Sequence, residues 1–277
     1  MSWRERYAVH VEALQELSDR DLQSLLLEVF QQRASKVGPQ RLLARYRESR
    51  FVQPSPLDLP THARLLALAW ELLPEPFQAL ELSPLAPLGG CSSLASVSQN
   101  KVVSTARNCE VSADPSPTLA LECALRRKSG PVHLATWQRV VRAQSLPDAP
   151  GYFAHFGILA LASSDRWGFE SEALSQHWGF YREFLKRAVP GARLEFRLTD
   201  WSGLAGRLRS EFSLDSERTS GRGYYQRACF KIYVNDVEVG DGGFTDWTGQ
   251  LLSDHREGLL SSGLGWERLV ALAQAAS

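Results

Sequence analysis

Residues 228–239 read ACFKIYVNDVEV, two apolar-rich runs on either side of Asn235-Asp236. Phe230, Ile232 and Val234 alternate with Lys231 and Tyr233, and Val237 and Val239 resume the pattern. Period-two alternation around an Asn-Asp pair predicts a hairpin, with strands over 228–234 and 237–239. Upstream, Leu194, Phe196 and Leu198 alternate with Glu195, Arg197 and Thr199, which predicts another strand from Arg193 to Trp201. Trp137 to Ala143 and Phe153 to Ala162 read as two more, separated by a Pro/Gly turn at 147–151. Glu170 to Ala188 has helical periodicity and stops at Pro190-Gly191. Strand pairs joined by short turns, with helices between the groups, predict an α+β fold on a largely antiparallel sheet.

The flanks are more helical. Ser18 and Asp21 form a capping pattern ahead of Leu22, Leu25, Leu26, Val29 and Phe30, and Gly38-Pro39 opens a helix through Leu42, Leu43 and Tyr46. Pro54, Pro56 and Pro60 mark a linker, so residues 1–56 are expected to form a helical extension and residues 57–277 the main domain. Thr61 is placed as the cap of an apolar helix to Leu73, before a strand over 77–82. Leu119 to Arg127 reads as a helix. Residues 257–275 read mostly as helix after a Ser/Gly-rich entry.

Composition excludes several classes. The 277 residues carry 31 Lys+Arg against 31 Asp+Glu, with 44% hydrophobic residues, which describes a globular chain with a full core. Zero net charge counts against a protein built mainly to neutralise phosphates along nucleic acid. No stretch approaches the ~20 apolar residues of a membrane span, and the mixed charges of residues 3–6 do not form a signal peptide. Cys91, Cys109, Cys123 and Cys229 show no metal-ligand spacing and read as small hydrophobes of a cytoplasmic protein.

From Phe77 onward the order of blocks resembles the class II aminoacyl-tRNA synthetase catalytic domain, in particular histidyl-tRNA synthetase and its relative, the ATP phosphoribosyltransferase regulatory subunit. The helix over 61–73 with Phe77 to Pro84 resembles the first class II motif, and this implies a homodimer. Val111 to Pro117 resembles the family's Arg-Pro-acid-x-Thr turn. Trp137 to Gln144, with Phe153 to Gly157, resembles the second motif. Gly221 to Tyr225 and Gly242 to Asp246 resemble the two histidine-binding signatures, and Gly263 to Leu269 resembles the third motif.

The resemblance implies ATP and Mg²⁺ as cofactors. Arg142 and Arg268 become the catalytic and phosphate-binding arginines, and Gln144, Gly263 and Gly265 complete the ATP site. Asp114, Ser116, His155, Tyr224, Tyr225, Gly242 and Gly243 become the substrate set. Chemistry permits these roles, since a guanidinium clamps phosphate and a carboxylate beside a hydroxyl receives an ammonium. Each residue also has a plainer reading. Arg142 is equally a surface-strand arginine, Asp114 or Ser116 a helix cap, and the tyrosines core aromatics.

The departures from the family matter as much. Ser220 stands where the family keeps an arginine, with Arg218 and Arg222 nearby as substitutes. Gln144 replaces a glutamate, His155 a glutamine and Leu159 an acid, while Phe244 and Thr245 stand in the Gly-Gly-Arg-Tyr-Asp signature. Histidine is therefore not the expected substrate. No anticodon-binding domain follows the third motif, so tRNA is not the expected acceptor. Two functions remain: activation of an amino acid or related carboxylate as an adenylate for a non-tRNA acceptor such as a carrier protein, or a retired ligand-binding regulatory protein.

Overall fold

A computed structural model describes residues 2–127, 130–144 and 153–276. The turn expected at 147–151 lies outside the described residues. Three helices come first: α1 (Trp3–Gln15), α2 (Asp19–Ala34) and α3 (Pro39–Glu48). None of them buries a residue. Ser18 caps α2 by accepting from the Asp21 amide, as the sequence predicts. Helix α4 (Leu59–Leu72) begins two residues before Thr61. Its cap is Asp58, whose carboxylate accepts from the Thr61 amide at 2.9 Å. Pro60 suits the first turn, where its missing N–H is not needed.

The remaining elements are β1 (Gln78–Ala79), β2 (Leu85–Pro87), α5 (Gly90–Leu94), β3 (Cys109–Val111), α6 (Pro115–Arg126), β4 (Val132–Val141), β5 (His155–Arg166), α7 (Glu170–Ala188), β6 (Leu194–Asp200), β7 (Ser213–Leu214), β8 (Gln226–Val234), β9 (Val237–Thr245), α8 (Trp247–Leu252), β10 (Glu257–Gly265) and α9 (Trp266–Ala275). Eight strands form one sheet in the order β1-β4-β5-β10-β9-β8-β6-β7. Only the edge pairs β1–β4 and β6–β7 are parallel. The β8–β9 hairpin turns at Asn235 and Asp236, both in the left-handed region, as a tight turn of this kind requires. The fold is α+β with an antiparallel-dominated sheet flanked by helices.

Helices cover both faces of the sheet. Leu159 and Leu161 of β5 face α4, α7 and α9, in a core with Trp178, Phe184 and Trp266. Ile158, Ala160 and Ala162 face α6 and α8, with Leu119, Cys123 and Trp247. A strand buried on both faces loses its polar–apolar alternation. This accounts for the one large misreading: residues 257–265 are not helix but the central strand β10, with Leu259, Leu260 and Leu264 wholly buried. The helix starts only at Trp266. The strand expected over 77–82 is cut to a two-residue edge, extended by the Leu80 amide donating to the Ala135 carbonyl. No disulfide links the four cysteines, and burial pushes Cys123 up to about 12. Among the described residues no helix is long and apolar enough to cross a membrane.

Candidate functional site

On the α6/α8 side of the sheet lies a cavity of about 560 Å³, within the ~300–1,000 Å³ range of ligand pockets. Its floor is the middle of the sheet, from Ile158 on β5 through Ser261 and Gly263 on β10 to Asp241 on β9. Arg142, Gln144, Asp114 and Ser116 stand at one end, Arg268 and Glu267 at another, and Arg218, Ser220, Tyr224 and Tyr225 close a third side.

Each group is held by the local fold. Arg142 follows the last residue of β4, where its amide donates to the Ala154 carbonyl at 2.9 Å. Its guanidinium donates to the Ala113 carbonyl and to Asp114 Oδ2, each at 3.1 Å, and lies 5.0 Å from the centre of the Phe156 ring. Asp114 also caps α6, accepting from the Ser116 amide at 2.9 Å. Capping and cavity-lining roles therefore coexist in one side chain. Arg268, in the first turn of α9, donates to the Glu238 carbonyl at 2.9 Å. Its neighbour Glu267 accepts from Arg139 at 3.0 Å and from the Gly157 amide at 2.8 Å.

The tyrosine wall depends on two glycines. Gly221 sits at φ 95°, a region that L side chains avoid, and its carbonyl accepts from the Tyr224 and Tyr225 amides. A Cβ at Gly243 would lie 2.5 Å from the Tyr225 ring. The ring therefore rests directly on β9. Tyr224 meets Tyr225 edge-on at 4.7 Å and Trp247 at 5.3 Å. Burial raises the hydroxyl pKa of both tyrosines. They are core aromatics and cavity wall at once.

No protein-family model and no curated protein matches this sequence. Solved structures do match the fold. An ATP phosphoribosyltransferase regulatory subunit/histidyl-tRNA synthetase from Bacillus halodurans C superposes with TM-score 0.64 and 14% identity, over 82% of this chain and 83% of that one. The pyrrolysyl-tRNA synthetase of Desulfitobacterium hafniense gives TM-score 0.54 at 13% identity, covering 86% and 75%. A second structure from that organism, PylSc, gives 0.54 at 16%, covering 86% and 73%. The fold is that of the class II aminoacyl-tRNA synthetases.

Within this class II frame, Asp114, Ser116, Arg142, Gln144, Tyr224, Tyr225, Gly263, Gly265 and Arg268 all line the one cavity. His155, Gly242 and Gly243 do not. His155 bonds Arg139 at 2.8 Å and the Gln53 carbonyl at 2.7 Å, so it fastens the linker rather than facing the cavity. Ser55 reinforces that attachment through Glu267 at 3.1 Å. Gly242 and Gly243 act by close packing. A Cβ on Gly242 would lie 2.5 Å from the Ser262 Cβ. Of the two arginines near Ser220, Arg218 lines the cavity, while Arg222 sits 5.7 Å from the Trp201 ring. Sequence reasoning missed Asp241 and Glu238. For Asp241 a signal was present, an acid set among glycines at 240, 242 and 243 just past the strand expected over 237–239, which β9 extends to Thr245.

Proposed function

We propose that this protein binds ATP with Mg²⁺ and an amino acid or related carboxylate, and activates the carboxylate for a non-tRNA acceptor. One observation carries the reading: Arg142, Arg218 and Arg268 surround a single cavity of ligand size. A buried nitrogen of Arg218, Nη1, has no hydrogen-bond partner among the described residues. Unpartnered buried donors are costly, and a phosphate oxygen is a suitable acceptor. The residues present therefore fit a nucleotide. Arg142 and Arg268 would hold its phosphates, and Gln144 offers an amide to the base. Glu238 and Glu267 are engaged by Lys231 and Arg139, and no cluster of metal-binding side chains exists among the described residues, so Mg²⁺ would come in held chiefly by the nucleotide's phosphates and its own water.

When bound, ATP supplies an adenylyl group to the carboxylate and releases pyrophosphate. The chain's own contribution is positioning and charge. Arg142 neutralises negative charge near the Asp114 side, Arg268 does so across the cavity, and the tyrosines exclude water from the middle. The alternative reading, a regulatory ligand-binding protein, draws on Ser220 and Gln144 as the family substitutions within the same cavity.

ATP–pyrophosphate exchange over an amino-acid panel separates the two readings. Exchange supports activation, and ligand binding without exchange supports regulation. Losing one charged phosphate contact removes ~1.5–3 kcal/mol, so Arg268→Ala and Arg142→Ala are each expected to weaken ATP binding by about 10- to 150-fold. Calorimetry with Mg²⁺ measures this, and wild-type protein that ignores millimolar ATP sinks the nucleotide site. The class II reading also expects a homodimer through α4 and the segment ending at Pro84. Sedimentation showing a monomer at micromolar protein contradicts that arrangement.

A further inference from the structure

Resting on the reading above, we propose that the cavity selects an amino acid whose side chain ends in a second amino group, received by the carboxylate of Asp241. The acidic groups of the cavity wall differ in how far their charges are matched. Asp114 is satisfied by Arg142 and by the Ser116 amide. Glu238 accepts from Lys231 at 2.6 Å. Glu267 accepts from Arg139, Ser55 and the Gly157 amide.

Asp241 stands apart from these three. Its one hydrogen bond comes from the Tyr225 hydroxyl at 3.2 Å, and no ion pair reaches it among the described residues. Arg218 is the cation that most influences it, but no hydrogen bond joins the two among the described residues: Nε of Arg218 goes to the Ser220 carbonyl at 3.1 Å.

The setting of Asp241 favours a ligand cation. The residue lies on β9 opposite Gly263 of β10 and opposite Lys231 of β8; the glycine carries no side chain, and the Lys231 ammonium is taken by Glu238 at 2.6 Å. Asp241 is exposed and lines the cavity. Partial loss of water beside the cavity wall and the negative charge of Asp114 disfavour its ionised form. An ammonium placed there relieves both effects and completes a charge-assisted hydrogen bond. Tyr225 and Tyr224 add aromatic surface that attracts a cation. A site built around a polar group also rejects the analogue that lacks it, because its own carboxylate is then left unpaired.

The test compares L-lysine and L-ornithine with L-norleucine, which keeps the chain and loses the terminal nitrogen. Calorimetry on wild-type protein is expected to show lysine or ornithine binding at least about 10-fold tighter than norleucine. Asp241→Asn, nearly the same shape without the charge, is expected to abolish that preference. Equal binding of norleucine, a preference that survives Asp241→Asn, or no binding of either diamino acid overturns the proposal. ATP is titrated separately. Failure of ATP with the lysine preference intact removes the nucleotide reading and leaves the cation site. ATP binding with no such preference does the reverse.

Discussion

Replacing Arg218 with alanine is expected to lower ATP–pyrophosphate exchange by about 10²- to 10³-fold, the loss typical when one preorganised group that stabilises transition-state charge is removed. Ser220 stands where the resemblance to the class II family implies an arginine. The backbone around Gly221 turns through a left-handed residue, and Arg218 reaches back across that turn. Its Nε donates to the Ser220 carbonyl at 3.1 Å, while Nη1 has no hydrogen-bond partner among the described residues. A guanidinium thus enters the cavity two residues earlier in sequence than expected. The fold should tolerate the change, because the hydrogen bond to Asp215 uses the Arg218 backbone amide and survives. Ser220→Arg added to Arg218→Ala is expected to restore part of the exchange. Undiminished exchange in Arg218→Ala would show that the charge is supplied from elsewhere.

Much of this architecture is legible in the sequence. The β8–β9 hairpin, β6 and the full span of α7 follow from period-two and helical patterns that tertiary structure had no reason to override. β10 was not legible, for a physical reason. Its sequence EGLLSSGLG is buried on both faces, so neither face is polar, and its serines and glycines resemble a loop. The cap of α4 was displaced because Asp58 and Thr61 are both good cap residues, and only the Asp58 carboxylate reaches back to the helix amides.

The site was legible where residue type and position agreed. Arg142 follows a strand and Arg268 starts a helix, and both ends converge on one cavity. His155 looked like a ligand because of its place in the block, but the register of β4 with β5 puts it opposite Val141. There it meets Arg139 and the linker. Asp241 escaped notice because a sequence pattern cannot say which face of a strand meets a cavity.

The other large effect expected is on stability, between pH 6.5 and 4.5. His177 is fully buried in α7, and burial holds its pKa down to about 3, with the nearby His133 pushing the same way. Its two ring nitrogens meet Ser163 at 2.9 Å and Ser262 at 2.7 Å, and Tyr181 joins Ser262 at 2.9 Å. This chain of hydroxyls satisfies a neutral imidazole, which needs one donor and one acceptor, and offers no carboxylate to a charged one.

In the unfolded chain the same histidine takes up a proton near pH 6.5. Below that pH the unfolded state binds a proton that the folded state refuses, so stability falls as pH falls. Each pH unit removes roughly 1.4 kcal/mol, or about 2–3 kcal/mol by pH 4.5. His133 and His62 are lowered chiefly by burial and act in the same direction. Carboxylates held low by arginine, such as Glu195 at about 2, begin to lose their contribution only as pH falls to the ordinary carboxylate range, at the acid edge of this window, and they do so equally in the His177 variant. Urea midpoints across the window should therefore decline steeply for the wild type. His177→Gln, less stable at pH 7 for its poorer fit, should decline less steeply, because it no longer titrates. Parallel slopes for the two proteins would mean that His177 does not stay neutral in the folded state.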